Sequence, residues 1–254
     1  TTGTGSTAYG IYNYGNNNTT TVSGSITTKG ASGHGIANVG NKNTTTVSGN
    51  IATSGGAGAT GSVGVQNGGN FNETTITSTG SITANGKNGG GVASIGDNNI
   101  VKLYGNITLG IEDFSHAIIS QGSFNKTTIF SAGTITSSVK NGYGVYNLYG
   151  NFNTTMMSGT ITTSGAEGHG IFNIGGDNTT TLSGSIKTTG GSAHGIYNQG
   201  NKNKTTVSGS ITTSGDKASA AQPSAYGIIN EGNNNETTVS GSITTSGDSA
   251  IGIN

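Results

Sequence analysis

The sequence has no cysteine, no arginine and no tryptophan, and it has a single proline in 254 residues. The lack of cysteine excludes disulfide bonds and thiolate metal sites. Charged residues make up only 8% and the formal net charge is zero, so the chain offers no electrostatic basis for binding nucleic acid or an anionic membrane. No run of about 18 apolar residues is present, which excludes insertion of this segment as a transmembrane helix.

What the sequence does have is glycine, 48 residues of it, together with long tracts of asparagine, threonine and serine. The hydrophobic fraction of 29% is low for a globular core. Disordered chains usually combine low hydrophobicity with a high net charge, and this chain is neutral. An internal repeat explains the composition better: the stretch GIYNYGNNNTTTVSGSITTKG from Gly10 returns with few changes from Gly195 and from Gly227.

The repeat has a period of about 25 residues and three short runs of alternating apolar residues per unit, separated by glycine or asparagine. Helix formers are scarce, which excludes a helical solenoid. The period therefore predicts an all-β fold, a right-handed parallel β-helix with three faces and nine to ten coils. We expect one repeat array over residues 1–254, with loop insertions near 54–63 and 214–226.

Equivalent residues of successive coils should stack into columns, because one turn of the chain separates them. The first aliphatic column is predicted to form a core ladder of Ile11, Ile36, Val65, Val92, Ile118, Val145, Ile171, Ile196 and Ile228. Two residues further on, an inward ladder of amides and hydroxyls is predicted at Asn13, Asn38, Asn67, Ser94, Ser120, Asn147, Asn173, Asn198 and Asn230. We interpret the second column as a structural hydrogen-bonded ladder.

The residues that alternate with the first aliphatic column along the strand should point outward, and they form the best contact surface that the sequence offers. The candidate association face consists of Tyr12, Tyr14, Tyr146, Leu148, Phe172, Ile174 and Tyr197. Just before the repeated glycine, a column that includes His116, Tyr143, His169 and His194 is expected to stack rather than to bind a metal ion, because no carboxylate or thiol shares its register. We predict no metal and no cofactor.

Catalysis is not expected, because no two carboxylates of the sequence face one cleft in the predicted register and serine is too frequent to mark a nucleophile. A polysaccharide-acting β-helix enzyme is therefore the weakest alternative. Regular hydroxyl columns on the second and third faces, including Thr136 and Thr162, leave ice binding as an alternative. Asparagine-x-Ser/Thr signatures make Asn18, Asn43, Asn153 and Asn178 weak candidates for glycosylation.

The stretches TTTVSGSITT and HGIYNQGN, repeated along the whole chain, resemble the repeated passenger segments of bacterial autotransporter adhesins and of other secreted β-solenoid surface proteins. The resemblance implies export, an extracellular location on the cell surface, and self-association or adhesion through the side of the rod. Partners implied by it are the protein itself, as a homo-oligomer or filament, and glycans or proteins of a host or neighbouring cell. We expect a structural, adhesive fibre.

The two ends of the sequence carry no polar cap of the kind that protects a free solenoid from edge pairing. We therefore expect either a segment of a longer array or copies that stack end to end.

Overall fold

The computed structural model describes residues 2–4, 8–30, 32–55, 61–110, 113–218 and 224–254, and the described chain forms strands and turns only. The strands form three parallel sheets that run the length of the molecule. Each coil contributes one strand to each sheet, in the order first, second, third. The chain makes about eight turns, with about 26 residues per turn.

The first sheet begins each coil and has nine strands in the described residues. Its strands are Tyr9–Tyr14, His34–Val39, Val63–Gly68, Gly90–Ile95, His116–Gln121, Val145–Leu148, Ile171–Ile174, Ile196–Gln199 and Ile228–Glu231. A parallel bridge joins Ile228 to Ile253 beyond the last of them.

The second sheet follows a corner of four residues, or five in the sixth coil, and also has nine described strands. They are Thr19–Val22, Thr44–Val47, Glu73–Ile76, Ile100–Leu103, Lys126–Ile129, Thr154–Met157, Thr179–Leu182, Lys204–Val207 and Glu236–Val239. Each has four residues whose side chains alternate between the interior and the outer surface.

The third sheet closes each coil and has ten described strands. They are Thr2–Thr4, Ser25–Lys29, Asn50–Ser54, Ser81–Ala84, Asn106–Leu109, Thr134–Ser137, Thr160–Thr163, Ser185–Thr188, Ser210–Thr213 and Ser242–Thr245.

Stacking of equivalent residues is confirmed by the strand register. Ile36 pairs with Val65, which pairs with Val92, and all three side chains are fully buried. The all-β, three-sheet parallel solenoid predicted from the repeat is therefore confirmed; its right-handed winding stays a prediction. The average of about 26 residues per turn agrees with the predicted period of about 25.

A narrow core of aliphatic columns lies between the three sheets. The first column is buried from Ile36 to Ile228, and Ile11 packs against it while partly exposed. Similar columns from the second and third sheets, such as Leu103 and Ile107, meet it. Each coil buries only a few aliphatic side chains, which is how a chain of low hydrophobicity sustains a continuous core.

The glycine near the start of most coils permits a close approach of two sheets, and in the fifth coil the fully buried Ala117 takes its place. A Cβ atom at Gly35 would lie 2.4 Å from Cγ2 of Ile51 on the third sheet and 2.6 Å from the carbonyl oxygen of Gly64. A side chain at Gly35 would therefore force Ile51 and the backbone of Gly64 to move.

The two predicted loop insertions lie partly outside the described residues, at 56–60 and 219–223. In the described part of the chain there is no helix with the length and hydropathy needed to cross a bilayer.

Candidate association face

The predicted asparagine ladder of the first sheet is confirmed by direct hydrogen bonds between coils. The amide nitrogen of Asn13 donates to Oδ1 of Asn38 at 2.7 Å, and Asn38 donates to Asn67 at 2.8 Å. The same bonds connect Asn147, Asn173, Asn198 and Asn230 at 2.6–2.8 Å. Each ladder amide also donates to a threonine hydroxyl of the second sheet in its own coil; the acceptors are Thr20, Thr45, Thr74, Thr155, Thr180, Thr205 and Thr237.

Two serines interrupt this ladder in the fourth and fifth coils. Ser94 and Ser120 are buried, and the hydroxyl of Ser94 has no hydrogen-bond partner among the described residues. The hydroxyl is too short to reach the next coil, so the ladder consists of two separate runs.

A second asparagine ladder, which the sequence reasoning missed, runs without interruption along the corner between the first and second sheets. At each step the backbone N–H of one asparagine donates to Oδ1 of the equivalent asparagine in the next coil, at 2.8–3.0 Å. Its members are Asn18, Asn43, Asn72, Asn99, Asn125, Asn153, Asn178, Asn203 and Asn235. The signal was present in the sequence as the constant register of these asparagines.

The corner ladder corrects the glycosylation hypothesis for Asn43, Asn153 and Asn178. Each is at most 2% exposed, and its amide nitrogen, the atom that would carry the glycan, is buried. A glycan on that atom has no room in the folded coil. Asn18 is half-buried, and its amide nitrogen donates to the carbonyl of Gly15 at 3.0 Å.

The histidine and tyrosine column stacks as predicted. Ring centroids are 4.6 Å apart for His116 and Tyr143, 5.1 Å for Tyr143 and His169, and 4.8 Å for His169 and His194. No group of three histidine, cysteine, aspartate or glutamate side chains that could hold a metal ion occurs in the described residues.

The histidines of this column also bind the backbone of the next coil, a role that the sequence did not reveal. Nδ1 of His169 accepts the N–H of His194 at 3.0 Å, and Nδ1 of His194 accepts the N–H of Tyr226 at 3.0 Å. His34 and His116 accept in the same way from Val63 and Tyr143. Burial lowers the pKa of His116 and of His194 to about 4, so these rings are neutral at neutral pH.

The centre of the predicted association face is a second column of rings beside the first. Phe172 stacks between Tyr146 and Tyr197, with centroid distances of 5.3 and 4.6 Å, and meets Tyr143 and His169 edge to face. Parity places Phe172 on the outside, yet it is only 8% exposed because these neighbouring rings cover it. Tyr146, Leu148, Ile174 and Tyr197 are half-buried, while Tyr12 and Tyr14 are exposed.

Most of the large hydrophobic side chains that are exposed in the described residues lie on the outer side of this sheet and on the corner that follows it. Of thirteen large hydrophobic side chains that are exposed in the described residues, nine occupy these two places. They are Tyr9, Tyr12, Tyr14, Val39 and Ile95 on the first sheet, and Phe71, Phe124, Tyr149 and Phe152 on the corner. We call the four corner residues the aromatic ridge.

The aromatic ridge holds its side chains in an uncommon backbone conformation. Phe71, Phe124 and Phe152 have φ of 58–59°, and Tyr149 has φ of 54°. Asparagine and lysine fill the same position in other coils, for example Asn98 with φ of 58°. Left-handed backbone is unfavourable for a bulky residue and is more easily adopted by asparagine. The conformation of the turn therefore does not explain why phenylalanine occupies this position.

The other two outer surfaces are mainly polar, although Met156 of the second sheet is 39% exposed. On the second sheet Lys102 forms an ion pair with Glu73 at 2.6 Å, and both side chains are about one-third exposed. On the third sheet, outward groups bond one another along the rod, as the hydroxyl of Ser81 does with Oδ1 of Asn50 at 2.8 Å. The first sheet with its corner is thus the apolar side of the molecule.

No protein-family model matches the chain, and no curated protein or solved structure is significantly similar to it. The class that the fold defines is nevertheless clear. The chain is a parallel β-solenoid repeat protein of three sheets.

Proposed function

We propose that this chain is part of an extracellular, structural and adhesive fibre, of the kind formed by autotransporter passengers and similar β-solenoid surface proteins. Its rods associate side to side through the first sheet and the aromatic ridge. The repeat phrases that resemble such passengers over the whole chain support the extracellular, adhesive part of the proposal.

The observation that carries the lateral contact is the concentration of exposed apolar side chains on one side of the rod. Contiguous exposed apolar surface on a soluble protein marks contact sites. The rings of Phe124 and Phe152 stack at 5.1 Å with an interplanar angle of 7°, so they present one rigid edge that spans two coils. Rigid aromatic groups lose little conformational entropy on binding, which suits them to anchor a contact.

The contact can be tested by replacing Phe71, Phe124 and Phe152 together with asparagine. Asparagine occupies the same left-handed position in other coils, so the far-UV circular dichroism and the unfolding midpoint should not decrease. We expect concentration-dependent association in sedimentation velocity to weaken by about 1–2 kcal/mol per ring removed. Electron micrographs should show isolated rods in place of lateral clusters.

Lys202→Asn is the matched control, since it makes the same kind of change at the same corner position without removing a ring. Association of the triple variant at the unmodified protein's strength would refute the assignment of the ridge as the contact.

A further inference from the structure

A cavity of about 230 Å³ opens on the outer side of the first sheet near the last described coils. It is lined by Glu167, His169, Ser192, His194, Tyr197, Ile229 and Glu231. The cavity is separate from the aromatic ridge, which lies in earlier coils on the corner after the first sheet.

The cavity forms where the ring column ends. Tyr197 is stacked on Phe172 on one side, but on the other side the equivalent residue is Ile229, which cannot cover the ring fully. In the neighbouring column Tyr226 is tilted by 39° over His194 and does not continue the parallel stack. One apolar wall of the cavity is therefore an aromatic face with an aliphatic side chain beside it.

Two carboxylates, which the sequence register did not place at one cleft, border the cavity from different coils. Glu231 lies near the hydroxyl of Tyr197 and contributes, after burial, to raising its pKa; it also accepts a weak hydrogen bond, at 3.4 Å, from the side-chain amide of Gln199. Glu167 lies at the corner before the first sheet with φ of 56°. None of the residues that line the cavity is a lysine, so no cationic side chain of the lining compensates the negative charge of the two glutamates.

Two buried imidazoles supply donors to the same cavity. His169 and His194 are 6% and 4% exposed, and Nδ1 of each accepts a backbone N–H. A neutral imidazole that accepts at Nδ1 carries its proton at Nε2. No hydrogen bond from either Nε2–H is found in the described part of the chain, and neither nitrogen is among the fully buried unsatisfied atoms, so both N–H groups are accessible to a molecule in the cavity.

We propose that this cavity binds one neutral saccharide unit of a glycan. Sugar hydroxyls both donate and accept, so they can satisfy the glutamates and the imidazole donors together, while the C–H face of the ring packs on Tyr197 and Ile229. An ammonium group offers no acceptor to the imidazoles, and a phosphate would oppose the carboxylates. The inference specifies a ligand for the adhesive role proposed above and rests on that role only for its biological setting.

The test is saturation-transfer NMR and chemical-shift mapping with the methyl glycosides of glucose, galactose and mannose, and with N-acetyl-lysine methylamide as a cationic probe. At least one glycoside should bind and shift the amide signals of Ser192, Tyr197 and Glu231. Glu231→Gln, which removes the charged acceptor, and Tyr197→Phe, which keeps the ring, should each weaken binding by about tenfold. Glu236→Gln, at an exposed glutamate of the same coil, should leave binding unchanged.

Binding of the lysine probe alone, or of no probe at millimolar concentration, overturns the proposal. Equal effects of Glu231→Gln and Glu236→Gln overturn it as well. The substitutions at Phe71, Phe124 and Phe152 should abolish clustering while sugar binding persists, so a failure of one proposal is distinguishable from a failure of the other.

Discussion

The two asparagine ladders run side by side through the same coils, yet one is broken and the other is not. In the first-sheet ladder, side chains bond one another, and serine replaces asparagine at Ser94 and Ser120. In the corner ladder every described coil keeps asparagine, because Oδ1 there accepts a backbone N–H that has no strand partner. A side chain that satisfies only other side chains can be replaced, whereas one that satisfies a buried backbone donor is hard to replace.

The histidine column extends this comparison. Its Nδ1 atoms also accept backbone N–H groups, but protonation of the imidazole abolishes this acceptor. Burial lowers the pKa of His116 and His194 to about 4, against about 6.5 in the unfolded chain. The unfolded chain therefore takes up protons first as the pH falls, and stability that is present above pH 6.5 is lost progressively down to about pH 4. We expect a decrease at pH 5 of about 2 kcal/mol for each of these histidines, measured by urea unfolding against pH 7.

His194→Asn sharpens this test, because asparagine offers an oxygen acceptor near the position of Nδ1 and does not titrate. The variant should lose part of the dependence on pH between 7 and 5. An unfolding midpoint of the unmodified protein that is equal at the two pH values would show that the buried imidazoles do not control acid stability.

Asn125→Ala is expected to produce the next largest effect. The substitution leaves the buried N–H of Asn99 without its acceptor at 2.8 Å. The cost should be about 2 kcal/mol in the free energy of unfolding, measured by urea titration. Asn16→Ala removes the same kind of bond, to the N–H of Asn41, at an exposed place where water can replace it, and it should cost much less. Similar losses for the two variants would contradict the role given to burial.

Asn147→Ser should destabilise the protein less than the decrease in pH or Asn125→Ala. It imitates the serines already present in the fourth and fifth coils and removes bonds to Thr155 and Asn173 that involve side chains only. We expect a loss of about 1 kcal/mol or less in the same titration. A loss as large as that of Asn125→Ala would remove the distinction between the two ladders.

The sequence predicted the columns of Ile36 and Asn38 because a fixed period brings equivalent residues into register whatever the details of the turns. The corner ladder was missed, although the constant register of its asparagines was visible in the sequence, because a run such as Asn16–Asn18 does not by itself show which amide faces inward. The burial of Phe172 was also not predicted. The alternation of side chains along a strand assigns a residue to one side of the sheet but takes no account of the width of neighbouring rings. The acceptor role of the histidines depends on the orientation of each ring, which residue type alone does not fix.

In every bond of the first-sheet ladder the donor lies in the earlier coil and the acceptor in the next, as from Asn147 to Asn173 and from Asn173 to Asn198. The corner ladder has the same direction. The rod consequently has a top and a bottom that are chemically unlike. Any further coil laid upon it must be oriented the same way, since an inverted one would set amide against amide and carbonyl against carbonyl. Growth of such a stack is therefore vectorial, as it is in a polar filament.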